Sequence, residues 1–172
     1  MPPISAEELR THFARALPGI VVPTAAPAAA PAKHGEGHAN MLATKDTVVV
    51  AERLIEAATY LRDTLGYTLL SDIAAVDYLA DHCIEVVYRF YHLEGGPSLV
   101  LKVRVPRDEP TIPSLTPTWP GADFHEREIF DLFGVIFAQH PYLHRIYMWD
   151  EFEGYPMRKD FPRQGDKYIG SS

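Results

Sequence analysis

The stretch HEREIFDLFGVIFAQHP, residues 125–141, sets three acids, an arginine and two histidines beside aromatic and aliphatic side chains. Glu126, Glu128 and Asp131 are of a type to serve as a general acid–base pair, and a hydrolase would use Glu126 or Glu128 with a nearby histidine. Two histidine pairs, His34 with His38 and His140 with His144, have a spacing that ligates metal when both rings lie on one helix face. The first pair sits in a glycine-rich stretch and the second brackets Pro141, so neither is expected to do so. Arg158 and Lys159, with Arg163 and Lys167, are of a type to hold a phosphate or a lipid headgroup. Asp160 and Asp166 stand among them and reduce the local field. There is no phosphate-binding glycine fingerprint, no G-x-S-x-G elbow and no cysteine beside an obvious base.

Helical spacing gives the same stretch a second reading. Ile129, Leu132, Phe133 and Ile136 fall at i, i+3, i+4 and i+7, an apolar stripe. Arg127 lies four residues from both Asp123 and Asp131, a distance that suits ion pairs along the helix. An amphipathic helix with a salt-bridged rim and a helix whose rim docks on a partner both fit, and spacing leaves both open.

Composition narrows the classes. The chain has 172 residues and a formal net charge of -7, which disfavours nucleic acid as a partner. One cysteine, Cys83, excludes an internal disulfide and a thiolate-only cluster site. No window approaches the roughly 20 apolar residues of a membrane-spanning helix. The first residues, MPPISAEELR, carry no pattern of a secretory signal.

The elements that would position these residues read as follows. Ser5 with Glu8 three residues later predicts a capped helix to about Leu17, ended by Pro18-Gly19. Ile20–Val22 suggests a short strand, closing a first segment, 1–22. Residues 23–46 begin with an Ala/Pro/Gly/His-rich run that is expected to be a flexible linker or loop. A core domain is expected over 47–134. It opens with a strand at Thr47–Val50 and a helix from about Glu52 to Leu65 stopped by Gly66. Strands follow within 67–79, 83–93 and 98–106, and Lys102 and Arg104 alternate with Leu101, Val103 and Val105 to mark one wet face. After a proline-broken run, Asp123 with Glu126 predicts the cap of the next helix, ended by Gly134. Residues 135–172 show no period and are expected to lie extended against another surface.

The element order predicts an α+β fold, a small mainly antiparallel sheet with helices on one side and an extended C-terminal tail. The residues of the opening stretch then carry a resemblance. HEREIFDLFGVIFAQHPYLHRI followed by FEGYPMRKDFP closely resembles the C-type, or 30 kDa, subunit family of proton-translocating NADH–quinone oxidoreductase, respiratory complex I. Its E-R-E core and following acid are Glu126, Arg127, Glu128 and Asp131, then Leu132, Phe133, His140 and Arg145-Ile146. Its G-x-P-x-R-K-D-[FY] element is Gly154, Pro156, Arg158, Lys159, Asp160 and Phe161. The match spans roughly residues 47 to 163. His144 stands where the family usually has Arg or Lys, and Phe124-His125 replace Trp-Tyr.

The resemblance implies a non-catalytic assembly subunit of the peripheral arm. It would bind the large D subunit, neighbour B- and I-type subunits, and support quinone reduction. FMN and iron–sulfur clusters would sit in partner chains, with quinone the substrate of the complex and no cofactor here. The chain would be peripheral on the cytoplasmic side of the inner membrane. Its implied partner contacts are Glu126, Arg127, Glu128, Asp131, His140, Arg145, Arg158, Lys159 and Asp160. The alternatives are the equivalent subunit of a membrane-bound hydrogenase or of a ferredoxin- or F420-linked oxidoreductase, a stand-alone hydrolase, and a small anion-binding module.

Overall fold

A computed structural model describes residues 3–24 and 44–162. Helix α1, Ala6–Ala16, starts as its sequence dictates. Ser5 Oγ accepts the Glu8 amide, and the Glu8 carboxylate accepts the Ser5 amide in return. Leu9 and Phe13, four residues apart, are its buried face. Helix α2, Leu54–Asp63, follows a 3-10 turn at Ala51–Arg53 and buries Leu54, Ala57, Ala58 and Leu61. Gly66 then takes φ +80°, and a side chain there would run into His92.

The sheet has strand order β1-β4-β3-β2, formed by β1 Thr47–Val48, β2 Leu69–Tyr78, β3 Cys83–Tyr91 and β4 Leu99–Pro106. β2–β3 and β3–β4 are antiparallel, and the short β1 joins β4 in parallel. Register places Ile73, Tyr88 and Leu101 side by side on one face, continuous with the helical side chains in a single buried cluster. On the other face Lys102 and Arg104 both reach Glu85, at 3.3 and 2.7 Å, the expected wet face with an almost fully covered carboxylate at its centre. The α+β class and the mainly antiparallel sheet agree with the sequence reading.

Several local expectations are corrected. Ile20–Val22 forms no strand but one isolated bridge, Val21 to Val49. The linker run at 25–43 lies outside the described residues, as do His34 and His38. The proline-broken run contains β5, Thr111–Pro113, which pairs in parallel with β6, Ile136–Ala138. Helix α3, Ala122–Phe133, has Gly121 rather than Asp123 at its N-cap, and no side chain caps it. Gly134 ends it at φ +75°, as expected. Because the helix ends there, Ile136 leaves the apolar stripe and is 41% exposed on β6.

Candidate interaction surface

An α-helix ends with four carbonyls that lack an intrahelical donor. In α3 the chain that follows supplies all four. Gly134 N–H donates to Phe130 O, Arg145 to Asp131 O, Met157 N–H to Leu132 O and Arg158 to Phe133 O. Two of the donors are guanidinium groups, which also suit the negative end of the helix dipole. Residues 140–162 contain no regular element, yet they are held on their own domain by these bonds.

Asp131 is the first of two ionic fixings. Its side chain is fully covered. Oδ1 accepts Arg145 at 2.8 Å, and Oδ2 accepts the amides of Ile146, Tyr147 and Met148 at 3.0, 2.6 and 3.0 Å. Burial pushes the carboxyl pKa up, but the amides of Met148 and Tyr147, with Arg145 and the Ile146 amide, outweigh it and hold the group below its ordinary value. Arg107 is the second fixing. It grips Asp77 with Nε and Nη2 at 2.6 and 3.0 Å, and Asp160 with Nη2 and Nη1 at 2.7 and 3.2 Å. Lys159 N–H also donates to Asp77, at 2.8 Å.

Glu126 faces inward. Its carboxylate accepts the Ser114 and Thr116 hydroxyls at 2.5 and 2.9 Å and the Leu115 amide at 2.7 Å. It thereby locks the strand β5 exit to α3. Burial raises its pKa, opposed by those three bonds and by His140. His140 Nδ1 accepts the Tyr142 amide, so the ring proton lies on Nε2, 3.2 Å from Asp123 and 3.8 Å from Glu126. An acid and a histidine do meet here, as the hydrolase reading requires. Both side chains are fully covered.

Truncating Glu126 to alanine strands two hydroxyls and an amide. The unfolding free energy is expected to fall by about 2–4 kcal/mol in a urea titration, and less in Glu126→Gln. Because the folded state holds the Glu126 proton more tightly than the unfolded chain, this group costs stability as pH rises through the ordinary glutamate range. That slope is expected to vanish in Glu126→Gln.

The expected pairs of Arg127 with Asp123 and Asp131 do not form, since Asp131 is taken by Arg145 and Asp123 faces His140. Arg127 instead donates to His144 O at 3.3 Å and to His144 Nε2, between the rings of Phe124 and Tyr142. His140 and His144 both bond the Tyr142 backbone through Nδ1, while their Nε2 atoms face different partners, Asp123 and Arg127. The Glu128 side chain has no hydrogen bond among the described residues and is partly exposed. Lys159 is exposed, with its ammonium 5.9 Å from the Tyr78 ring. Arg163 and Lys167 lie outside the described residues.

The candidates that the sequence offers are all charged or histidine, and they miss what this region displays. Phe124, Tyr142, Tyr147, Trp149 and Met157 are each more than half exposed. The only sequence signal for the last four is the density of aromatic residues from Tyr142 to Phe161 without a helical or strand period. Exposed large apolar and aromatic groups are the side chains that contact surfaces use most.

Residues 47–167 match the family described as respiratory-chain NADH dehydrogenase, 30 Kd subunit. The chain is 43% identical over 129 residues to the C-type subunit of the NADH-quinone oxidoreductase of Roseiflexus sp. (strain RS-1), covering 73% of this chain and 74% of that one. It is 45% identical over 117 residues to the same subunit from Moorella thermoacetica (strain ATCC 39073 / JCM 9320), covering 68% and 79%. Among solved structures, a trypsin-resistant fragment of Nqo5 superposes with a TM-score of 0.52 at 34% identity, covering 56% of this chain and 80% of that fragment. A chain of a membrane-bound sulfane sulfur reductase, an archaeal respiratory membrane complex, superposes with a TM-score of 0.68 at 25% identity, covering 91% and 85%.

Proposed function

Because this chain belongs to the 30 kDa subunit family of respiratory-chain NADH dehydrogenase, we propose that it is an assembly subunit of the peripheral arm of an NADH–quinone oxidoreductase. It binds the large D-type subunit and steadies the module that reduces quinone. One observation carries this reading. The backbone of residues 140–162 is tied to the chain's own domain, while Tyr142, Tyr147, Trp149 and Met157 stand out from it. A segment ordered in advance loses less conformational entropy when a partner covers it. Glu128, Lys159 and Asp160 add charges with exposed or partly exposed side chains, and these set the register of docking.

In this reading FMN and the iron–sulfur clusters belong to partner chains, and quinone is the substrate of the complex. B- and I-type subunits are its further neighbours. Among the described residues no helix is long and apolar enough to cross a membrane. The chain is proposed to sit peripherally on the cytoplasmic side of the inner membrane, held by its partners. The likeness to a chain of the sulfane sulfur reductase complex supports a second machine for the same role, a relative of complex I with a different electron donor.

Capture from gently solubilised native membranes through an N-terminal tag tests both. Recovery of a D-type subunit with cluster-bearing and NADH-binding chains is the expected result. Hydrogenase- or ferredoxin-linked chains in their place would keep the structural role and change the donor. A chain recovered alone would overturn the proposal.

A further inference from the structure

Three of the six aromatic rings of residues 140–162, those of Tyr142, Phe152 and Tyr155, already carry a cation from the chain itself. Arg145 lies 5.7 Å from the Phe152 centroid and 5.5 Å from that of Tyr155, Arg158 lies 4.8 Å from Tyr155, and Arg127 lies 6.0 Å from Tyr142. Trp149 and Phe161 have none among the described residues. These two rings bound one open cleft of ≈ 620 Å³ with Phe152, Glu151 and Glu153. Phe152 stands edge-on to Trp149 at 4.9 Å and stacks on Phe161 at 5.9 Å. The turn beneath is a built one, since Gly154 has φ +91° and a Cβ there would come within 2.8 Å of the Phe161 ring.

The carboxylates of Glu151 and Glu153 make no hydrogen bond or ion pair among the described residues, and neither does that of the adjacent Asp150. The cleft therefore joins two features that favour the same ligand, aromatic rings that carry no cation and unpaired carboxylates. An apolar occupant would desolvate the carboxylates without a partner, and an anionic one would be repelled. Trp149, 64% exposed, is also part of the displayed aromatic surface, so the cleft opens where a partner is proposed to lie.

We propose that this cleft receives an arginine or lysine side chain from a partner chain, stacked on Trp149 and Phe161 and paired with Glu151 and Glu153. This rests on the assembly role proposed above and names the chemistry by which part of that surface is recognised.

The test uses the intact complex in native membranes with p-benzoylphenylalanine at position 149. Irradiation is expected to yield crosslinks to another chain within two residues of an arginine or lysine. Crosslinks only to residues 163–172 of the same chain, to lipid, or to a stretch without a basic residue would overturn the proposal. In parallel, the Glu151→Gln/Glu153→Gln variant is expected to be retained on the solubilised complex about tenfold more weakly at low salt, with a flatter salt dependence. The melting temperature of the isolated variant should not move, because neither carboxylate has a partner within the described chain. Unchanged retention would overturn the cleft while leaving the assembly role intact. A chain that captures no partner at all would overturn both.

Discussion

Arg107→Ala is expected to lower the free energy of unfolding by about 3–5 kcal/mol, the cost of leaving a buried charge unpaired. For a chain of this size that shifts the melting temperature by on the order of 10 °C. Asp77 is the charge at stake. It pairs with Ile84 on the inner face of the sheet, and its side chain is 1% exposed. Without the guanidinium it keeps a single donor, the Lys159 amide. The guanidinium itself is held in its charged form by Asp160 and by Asp77.

Arg107→Lys should fall between, since a single ammonium cannot reproduce two bidentate contacts. The control that isolates the mechanism is Arg107→Met with Asp77→Leu. Removing both leaves no buried charge unpaired, only the Lys159 amide and the half-exposed Asp160 without their partners, so most of the lost stability should return. A single variant within about 1 kcal/mol of the wild-type protein, or a double variant as unstable as the single one, would show that the pair is not what holds β2, the end of β4 and residue 160 together.

How far the sequence shows such features depends on how local their causes are. The α1 cap is legible because Ser5 and Glu8 are three residues apart and meet within one turn. The strands β2 to β4 are legible because alternation and β-branched content act residue by residue. Glu126 and Asp131 read as a charged rim for a physical reason, and the structure turns both inward. Helical periodicity treats an acid as outward unless something inside pays for it, and here the donors come from residues 114–116 and 145–148. Arg107 finds its carboxylates 30 and 53 residues away, a separation no spacing rule encodes. The short strands β5 and β6, three residues each, offer no period at all.

The same non-local bonds explain why the tail reads as a segment that lies on another surface. Its aromatic residues have no regular pattern because its order comes from α3, whose end carbonyls and Asp131 it satisfies. Arg145, Arg158 and Asp160, candidates for partner contact, hold the tail to the domain, while Tyr142, Tyr147 and Trp149 of the same segment face outward.

Asp131→Ala is expected to release that tail rather than unfold the domain. The substitution strands the Arg145 guanidinium and three backbone amides, a gross loss of several kcal/mol in the docked state. The tail can escape this loss by detaching, so global stability falls only by what its docking contributed. Tryptic cleavage after Arg145, Arg158 and Lys159 under native conditions should therefore rise by on the order of 100-fold, in proportion to the opened population. The core melting temperature should move by only a few degrees.

Asp131→Asn should be milder. Its amide oxygen still accepts the three N–H groups, but its NH2 confronts Arg145 without charge. Acid should reproduce the effect in the wild-type chain. The Asp131 pKa is depressed, so its contribution is complete above the ordinary aspartate range and is lost as pH falls through the folded value below it. Glu128→Gln separates holding the tail from meeting a partner. That side chain has no bond among the described residues, so the variant should keep the tail protected from trypsin. Asp131→Ala should lose both protection and partner capture, because Tyr147 and Met148 are placed by the amides that Asp131 holds. Equal protection in Asp131→Ala and wild type would mean that the carbonyl caps of α3 alone dock the segment.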